Sequence, residues 1–256
     1  MHCQNCSAEL FGEYCHACGQ HVLHNPDLNL RPFVRQFGRE LLQLDFKTVH
    51  SLRALFKPGF LTKEFLDGRR RRYLSPLKVY FVAAGIFFLL APSVGFSLED
   101  LLRSDSGDML TQMVTTRAQA RSMDMDLFTE RFDLRIQTTY TLSLSVSIIV
   151  AAAVLRALVR THTLGMHMVF AVHYVAFLYF GALALGAIEK ITDLPSLGML
   201  ALTYAINMPY LFIAMRRVYE PSRARTTMNV LVLCLVTFFV DNLVNFAALL
   251  LTLWLV

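Results

Sequence analysis

From residue 77 onward the chain alternates long apolar runs with short charged connections. A bilayer core is about 30 Å thick, so a crossing helix needs about 20 predominantly apolar residues. Five stretches reach that length. Residues 77–96 carry only Lys78, at the edge, and 136–155, 164–188 and 194–215 carry no charge. Residues 226–256 contain a single charged side chain, Asp241. The pattern predicts helical spans at about 77–96, 136–156, 164–188, 194–215 and 228–252. The first 76 residues hold no such run and no signal peptide, so the first span is expected to act as the membrane signal.

A different period precedes the spans. Leu30, Phe33, Val34, Phe37, Leu41 and Leu42 recur at three- and four-residue steps, with Arg31, Arg35, Gln36 and Arg39 facing elsewhere, which predicts an amphipathic helix. A second segment with Val49, Leu52, Leu55 and Phe56 ends at Pro58-Gly59, and a third over residues 60–66 ends at Gly68. Helices with a basic face and a Phe/Leu face suit the membrane interface. Packing on one another or on the span bundle is the alternative. Residues 97–135 hold eight acidic side chains against five Arg and are expected to form a solvent-facing loop. Met109, Leu110, Met113 and Val114 predict one amphipathic helix inside it. No internal repeat and no low-complexity segment is visible.

Composition narrows the class. Of 256 residues, 55% are hydrophobic and 17% charged, and the mean hydropathy is +0.47, which excludes both an ordinary soluble domain and a disordered chain. The net charge of +5 does not require nucleic acid, because basic residues gather in cytoplasmic loops of membrane proteins. With the N-terminus inside, 18 of the 24 Lys and Arg fall on the cytoplasmic side and 6 on the other. The expected topology is an N-terminus in the cytoplasm and a C-terminus outside.

The N-terminus carries the chemistry. Cys3-x-x-Cys6 and Cys15-x-x-Cys18 supply four thiolates, enough for a closed tetrahedral Zn²⁺ site, and Gly19 suits the tight turn after the second pair. Such a site has no open position for substrate, so the zinc is expected to be structural. Iron is the main competing metal. A redox dithiol lacks its strand–helix surroundings, and disulfides do not suit a cytoplasmic end. Residues 1–20 contain Glu9 and Glu13 but no Lys or Arg, which argues against phosphate and hence against nucleic acid. His2 and His16 stand close by but are not needed as ligands.

The order Cys-x-x-Cys, Tyr14-Cys15-x-x-Cys18-Gly19-Gln20, Asp45, Pro58-Gly59, Gly68-Arg69-Arg70, Tyr73 and Pro76 resembles a bacterial family of multi-span membrane proteins. Its members have an N-terminal four-Cys zinc ribbon and are catalogued as a domain of unknown function. The resemblance covers about the first 80 residues, with Ser7 where the family tends to have Gly. It implies a bacterial inner-membrane protein and supplies no activity. The expected fold is mainly α: a polytopic membrane helix bundle (residues 76–256, with external loop 97–135), a small zinc ribbon (1–22) and amphipathic, basic cytoplasmic helices (28–75).

Ionisable groups at bilayer depth are functional candidates. Asp241 lies about 18 Å into the last span, near the midplane. Asn242 and Asn245 follow it, and Asn245 shares its face. Asn207 on the fourth span and His173, with Tyr174, on the third are expected at comparable depth. Convergence on one polar pocket is the functional expectation, and hydrogen bonding between spans is the structural one. Cys234 reads as a packing residue, and His162 and His167 as cytoplasmic-surface residues. Arg69, Arg70, Arg71 and Arg72 read as a topology anchor with loose contact to anionic lipid.

Three functional classes remain. The first is a non-enzymatic membrane protein whose ribbon and basic helices meet a cytoplasmic protein partner or membrane lipid. The second is a small transporter or ion/proton pathway through Asp241, Asn245 and Asn207. Five spans offer no inverted repeat, so that reading calls for a homo-oligomer. The third, an intramembrane enzyme, lacks any recognisable catalytic motif.

Overall fold

A computed structural model describes residues 2–21, 46–90, 98–102, 107–192 and 194–256; at 100–101, 107–109, 137–144 and 196 it describes the backbone alone. The helix expected over residues 30–42 lies outside the described residues. The helices are α1 (Phe46–Leu55), α2 (Phe60–Leu66), α3 (Pro76–Leu90), α4 (Leu98–Leu102), α5 (Gly107–Ala120), α6 (Met125–Leu158), α7 (Leu164–Ile191), α8 (Ser196–Tyr219) and α9 (Arg223–Leu255). Among the described residues, β structure is confined to isolated bridges at the N-terminus.

Three helices are long and apolar enough to cross a membrane: Leu164–Ile191, Leu197–Tyr219 and Arg223–Leu255. The two earlier expected spans differ. The described part of the first is the 15-residue α3, about 22 Å long. The second belongs to a 34-residue helix whose apolar stretch is Ser145–Leu158, because the same helix begins in the charged segment at Met125. On α9, Leu231, Leu235, Phe239, Leu243 and Phe246 are each more than half exposed. A continuous apolar surface of that kind suits lipid rather than water.

α6 packs along α7 and α9, α3 packs along α7, and α8 leans on α7 and α9. Their core includes Val79, Ala83 and Phe87 of α3, Ala152 and Leu155 of α6, Ala171, Ala176 and Tyr179 of α7, Leu211 and Met215 of α8 and Leu233 of α9. The alanines let helix backbones approach closely.

α1 and α2 form a hairpin set among these helices rather than on their ends. Phe56, at its tip, meets Phe177 and Phe180, with ring centroids 6.0 and 5.5 Å away. Those residues lie about 20 and 24 Å along α7. Tyr210 donates from its hydroxyl to the Leu55 carbonyl at 2.8 Å. The space for the hairpin exists because α3 starts late. Tyr80 and Phe87 both touch the Tyr179 ring, so α3 begins about 10 Å farther along the bundle than α7 does.

The apolar pattern Val49, Leu52, Leu55 and Phe56 does not mark the buried face of α1. The structure buries Thr48, Ser51, Ala54 and Leu55, while Val49 and Phe56 are 52% and 53% exposed. Ser51 turns inward because its Oγ accepts from the Leu74 N–H at 2.9 Å, tying α1 to the chain just ahead of α3.

At the opposite end of the bundle, the acidic segment is folded. Leu110, expected on an amphipathic helix, is buried with Val114 and Ala118 on α5, against Leu98, Phe128, Phe132 and the tail residues Leu253 and Val256. Arg117 donates to the carbonyls of Leu253 (3.1 Å) and Trp254 (2.5 Å), and Arg121 to Trp254 (3.2 Å). Two guanidiniums thereby satisfy carbonyls that the end of α9 leaves open.

Candidate metal centre and buried polar groups

Each Cys-x-x-Cys pair curls into a knuckle. The Cys3 N–H donates to the Ala8 carbonyl and the Ser7 N–H to the Cys3 carbonyl, both at 2.8 Å. Twelve residues on, Cys15 repeats the first bond to Gln20 at 2.8 Å and Gly19 the second to Cys15 at 2.7 Å. The bridges His2–Glu9 and Tyr14–His21 keep the same offset. A short structural repeat is therefore present, in register with the twelve-residue offset of the two Cys-x-x-Cys pairs; hydrogen bonding extends it to positions whose residues differ, such as Ser7 and Gly19.

The repeat places Cys3, Cys6, Cys15 and Cys18 with their sulfurs within 4.8 Å of one another. Cys3–Cys18 and Cys6–Cys15 are separated by 3.7 and 3.6 Å. Four metal–sulfur bonds of about 2.3 Å in a tetrahedron require sulfurs about 3.8 Å apart, so the cluster fits a metal ion. Burial works against ionising Cys18, but the Gln20 N–H and the Asn5 side chain hold its thiol at about 6. The Ala8 N–H favours the Cys6 thiolate, yet desolvation and the neighbouring thiols push Cys6 up to about 12. A cation among the sulfurs would offset the repulsion between neighbouring thiolates.

Ser7 and Gly19 occupy equivalent left-handed positions, with φ of 62° and 68°. That conformation costs an L-residue about 1–2 kcal/mol, and glycine nothing comparable. Ser7→Gly is expected to stabilise the metal-bound ribbon by about 1 kcal/mol. A chelator titration that releases metal at higher chelator concentration checks this.

The ribbon is seated on the linker between α2 and α3. Gln20 donates from Nε2 to the Gly68 carbonyl at 2.7 Å, and its Oε1 accepts from the Arg70 N–H at 3.4 Å. Arg71 Nε donates to the Cys18 carbonyl at 3.0 Å. The arginine run is thus largely committed within the protein. Arg69 pairs with Glu64 at 2.6 Å and Asp67 at 2.8 Å, and the Glu64 hydrogen bond raises its pKa. Arg70 lies 4.2 Å over the Phe65 ring and donates to the Phe65 carbonyl, and burial lowers its pKa. Arg72 is exposed. Tyr73 stacks on His50 and meets Phe60 edge-on. Gly59 lies against the backbone of Ala214, and Arg217 donates to the Pro58 carbonyl at 2.6 Å.

The intramembrane candidates separate instead of converging. Ser147 Oγ on α6 donates to Asp241 Oδ1 on α9. Asn207 and Asn242 donate to carbonyls of their own helices, at Thr203 and Phe238, both at 2.8 Å. Asn242 is exposed and Asn245 half-buried. His173 turns away to the hairpin, with Nδ1 3.0 Å from Thr62 Oγ1, and its Nε2 has no partner among the described residues. Cys234 is buried in the main core. His162 stays near the surface, whereas His167 is wholly buried between the Val159 carbonyl and the Tyr219 hydroxyl, at 3.0 and 2.9 Å.

Sequence reasoning missed Thr62, Ser147 and the hydroxyl group of Tyr80, Ser145 and Tyr179, with Tyr80 2.7 Å from Ser145 and 3.2 Å from Tyr179. A hydroxyl in an apolar run is a common residue, and nothing local marks its partner.

Residues 46–88 match a family described as a protein of unknown function, DUF3667. No curated protein and no solved structure matches the chain. The DUF3667 match spans α1, α2, the linker that seats the ribbon and most of α3, so it coincides with the hairpin and its mounting. The four cysteines lie outside the matched residues.

Proposed function

We propose that this is a non-enzymatic integral membrane protein of the bacterial inner membrane. Its N-terminus is cytoplasmic, its chain crosses five times and its C-terminus is external. A structural zinc ion bound by Cys3, Cys6, Cys15 and Cys18 braces a ribbon that presents itself to a cytoplasmic protein partner. The four-thiolate donor set supports zinc, which would supply folding energy there rather than catalysis.

One observation carries the partner reading. Phe11 and Tyr14, on the connection between the knuckles, are 81% and 64% exposed while Gln20 and the Cys18 carbonyl dock the ribbon on Gly68, Arg70 and Arg71. Exposed aromatic side chains on a rigid mount are typical anchors of protein interfaces. A photo-crosslinking residue placed at position 11 in living cells should yield a discrete adduct that disappears when Cys15 and Cys18 are replaced. Absence of any adduct from the wild-type ribbon would sink this reading.

The contact between Ser147 and Asp241 favours a second reading, an ion or proton pathway. Asp241→Asn and Asp241→Ala are then both expected to abolish cellular function at unchanged abundance. Full activity of the two variants would leave Asp241 as an interhelical hydrogen-bonding group.

A further inference from the structure

We propose that the outward stripe of α1 seats one anionic phospholipid of the cytoplasmic leaflet. Arg53 and Lys57 face its phosphate, and Phe46, Val49 and Phe56 lie along its acyl chains. The inference rests on the membrane reading above, but it locates the lipid contact away from the arginine run that the sequence singles out.

Phe46 is 97% exposed, and Val49 and Phe56 are each more than half exposed. Lys47, Arg53 and Lys57 are exposed as well. Positions 46, 49, 53, 56 and 57 recur at three- and four-residue steps, so they form a single stripe along α1 and its tip. Mixed aromatic and basic composition on one stripe is the signature of a helix face at the boundary between headgroups and acyl chains.

Charge selects the ligand. Among the described residues neither Arg53 nor Lys57 forms an ion pair, Lys57 lying 5.6 Å from the Phe60 ring centroid, whereas Lys63 and Arg69 have carboxylate partners and Arg70 and Arg71 are bound to carbonyls. Arg217, tied to the Pro58 carbonyl, adds a further positive charge at the tip. Position selects a lipid over a soluble anion. Phe46, Val49 and Phe56 flank the basic groups with more than half of their surface exposed, and Phe56 is anchored on the buried Phe177 ring, so the basic groups sit on an apolar face.

The test uses the full-length protein in neutral detergent, with native mass spectrometry after addition of dioleoyl phosphatidylglycerol or dioleoyl phosphatidylcholine. One phosphatidylglycerol should be retained in preference to phosphatidylcholine. R53Q/K57Q should cut its retention by about tenfold or more. R53K/K57R should restore it, and R223Q/R225Q should leave it unchanged. Unchanged far-UV helicity confirms that the exposed substitutions leave the fold intact.

Equal retention of both lipids overturns the proposal, as does wild-type retention in R53Q/K57Q. Displacement by glycerol phosphate as effective as by lipid would make the stripe a plain anion site. Efficient bismaleimide cross-linking between F37C and V49C with lipid present would show that the chain's own upstream segment covers it. Retention in detergent does not depend on orientation. A cysteine at position 11 labelled only from outside the cell would therefore overturn the topology and leave the lipid result standing.

Discussion

Replacing Cys15 and Cys18 by Ser is expected to remove the metal and unfold the ribbon while the helix bundle stays intact. About 20 residues cannot bury enough surface to fold alone, so metal binding is the folding energy, on the order of 10–16 kcal/mol for a structural zinc site. The consequence reaches beyond the ribbon. Gln20 and the Cys18 carbonyl lose their places against Gly68, Arg70 and Arg71, so the α2–α3 linker loses its cover. No ribbon residue belongs to the main core, and the bundle keeps its packing. Elemental analysis should fall from about one metal ion per chain to none. Trypsin should then cleave within residues 69–72, which resist it in the wild type. A wild-type protein that carries no metal, or a variant that keeps one, would overturn the assignment; iron in place of zinc would redirect it to redox chemistry.

Gly59→Ala should be the most damaging single substitution in the hairpin. A Cβ built there lies 2.7 Å from the Ala214 carbonyl oxygen and 2.8 Å from the Ala214 Cα, and φ is +70°. Both neighbours are backbone of α8, which cannot swing aside as a long side chain would. The left-handed conformation and the overlap together cost about 3–4 kcal/mol. The hairpin is expected to lift, opening the Tyr210–Leu55 and Thr62–His173 contacts. A cysteine at position 62 should become reactive toward a maleimide in the variant and stay protected otherwise. Gly85→Ala is the control, since nothing lies within 4 Å of a Cβ at that position on α3. Equal stability of the two variants would mean that the hairpin is not seated against α8.

Six of the residues that carry the sequence resemblance acquire a common explanation. Gln20, Gly68 and Arg70 join the ribbon to the linker, Gly59 and Pro58 join the hairpin to α8, and Tyr73 covers His50 and Phe60. The knuckle cysteines were legible because a metal site of this type is written in local spacing. The polar pocket expected around Asp241, Asn207 and His173 was not, because depth in the bilayer gives a height along a helix and no direction around the bundle axis. His173 faces α2, Asp241 faces α6, and Asn207 folds back on its own helix.

By itself the sequence determined the helical class, the apolar lengths of α7, α8 and α9, the four-thiol cluster and the breaks at Pro58-Gly59 and Gly68. Each follows from residues within a turn or a span of one another, where hydrophobic length, ligand spacing and backbone chemistry act directly. Only the tertiary structure decided that α1 and α2 enter the bundle, which face of α1 is buried, and that the arginine run clamps the ribbon. Those outcomes depend on contacts between distant segments, such as Arg71 with Cys18 and Tyr210 with Leu55, 53 and 155 positions apart. They depend on where packing leaves room, and no local pattern encodes that.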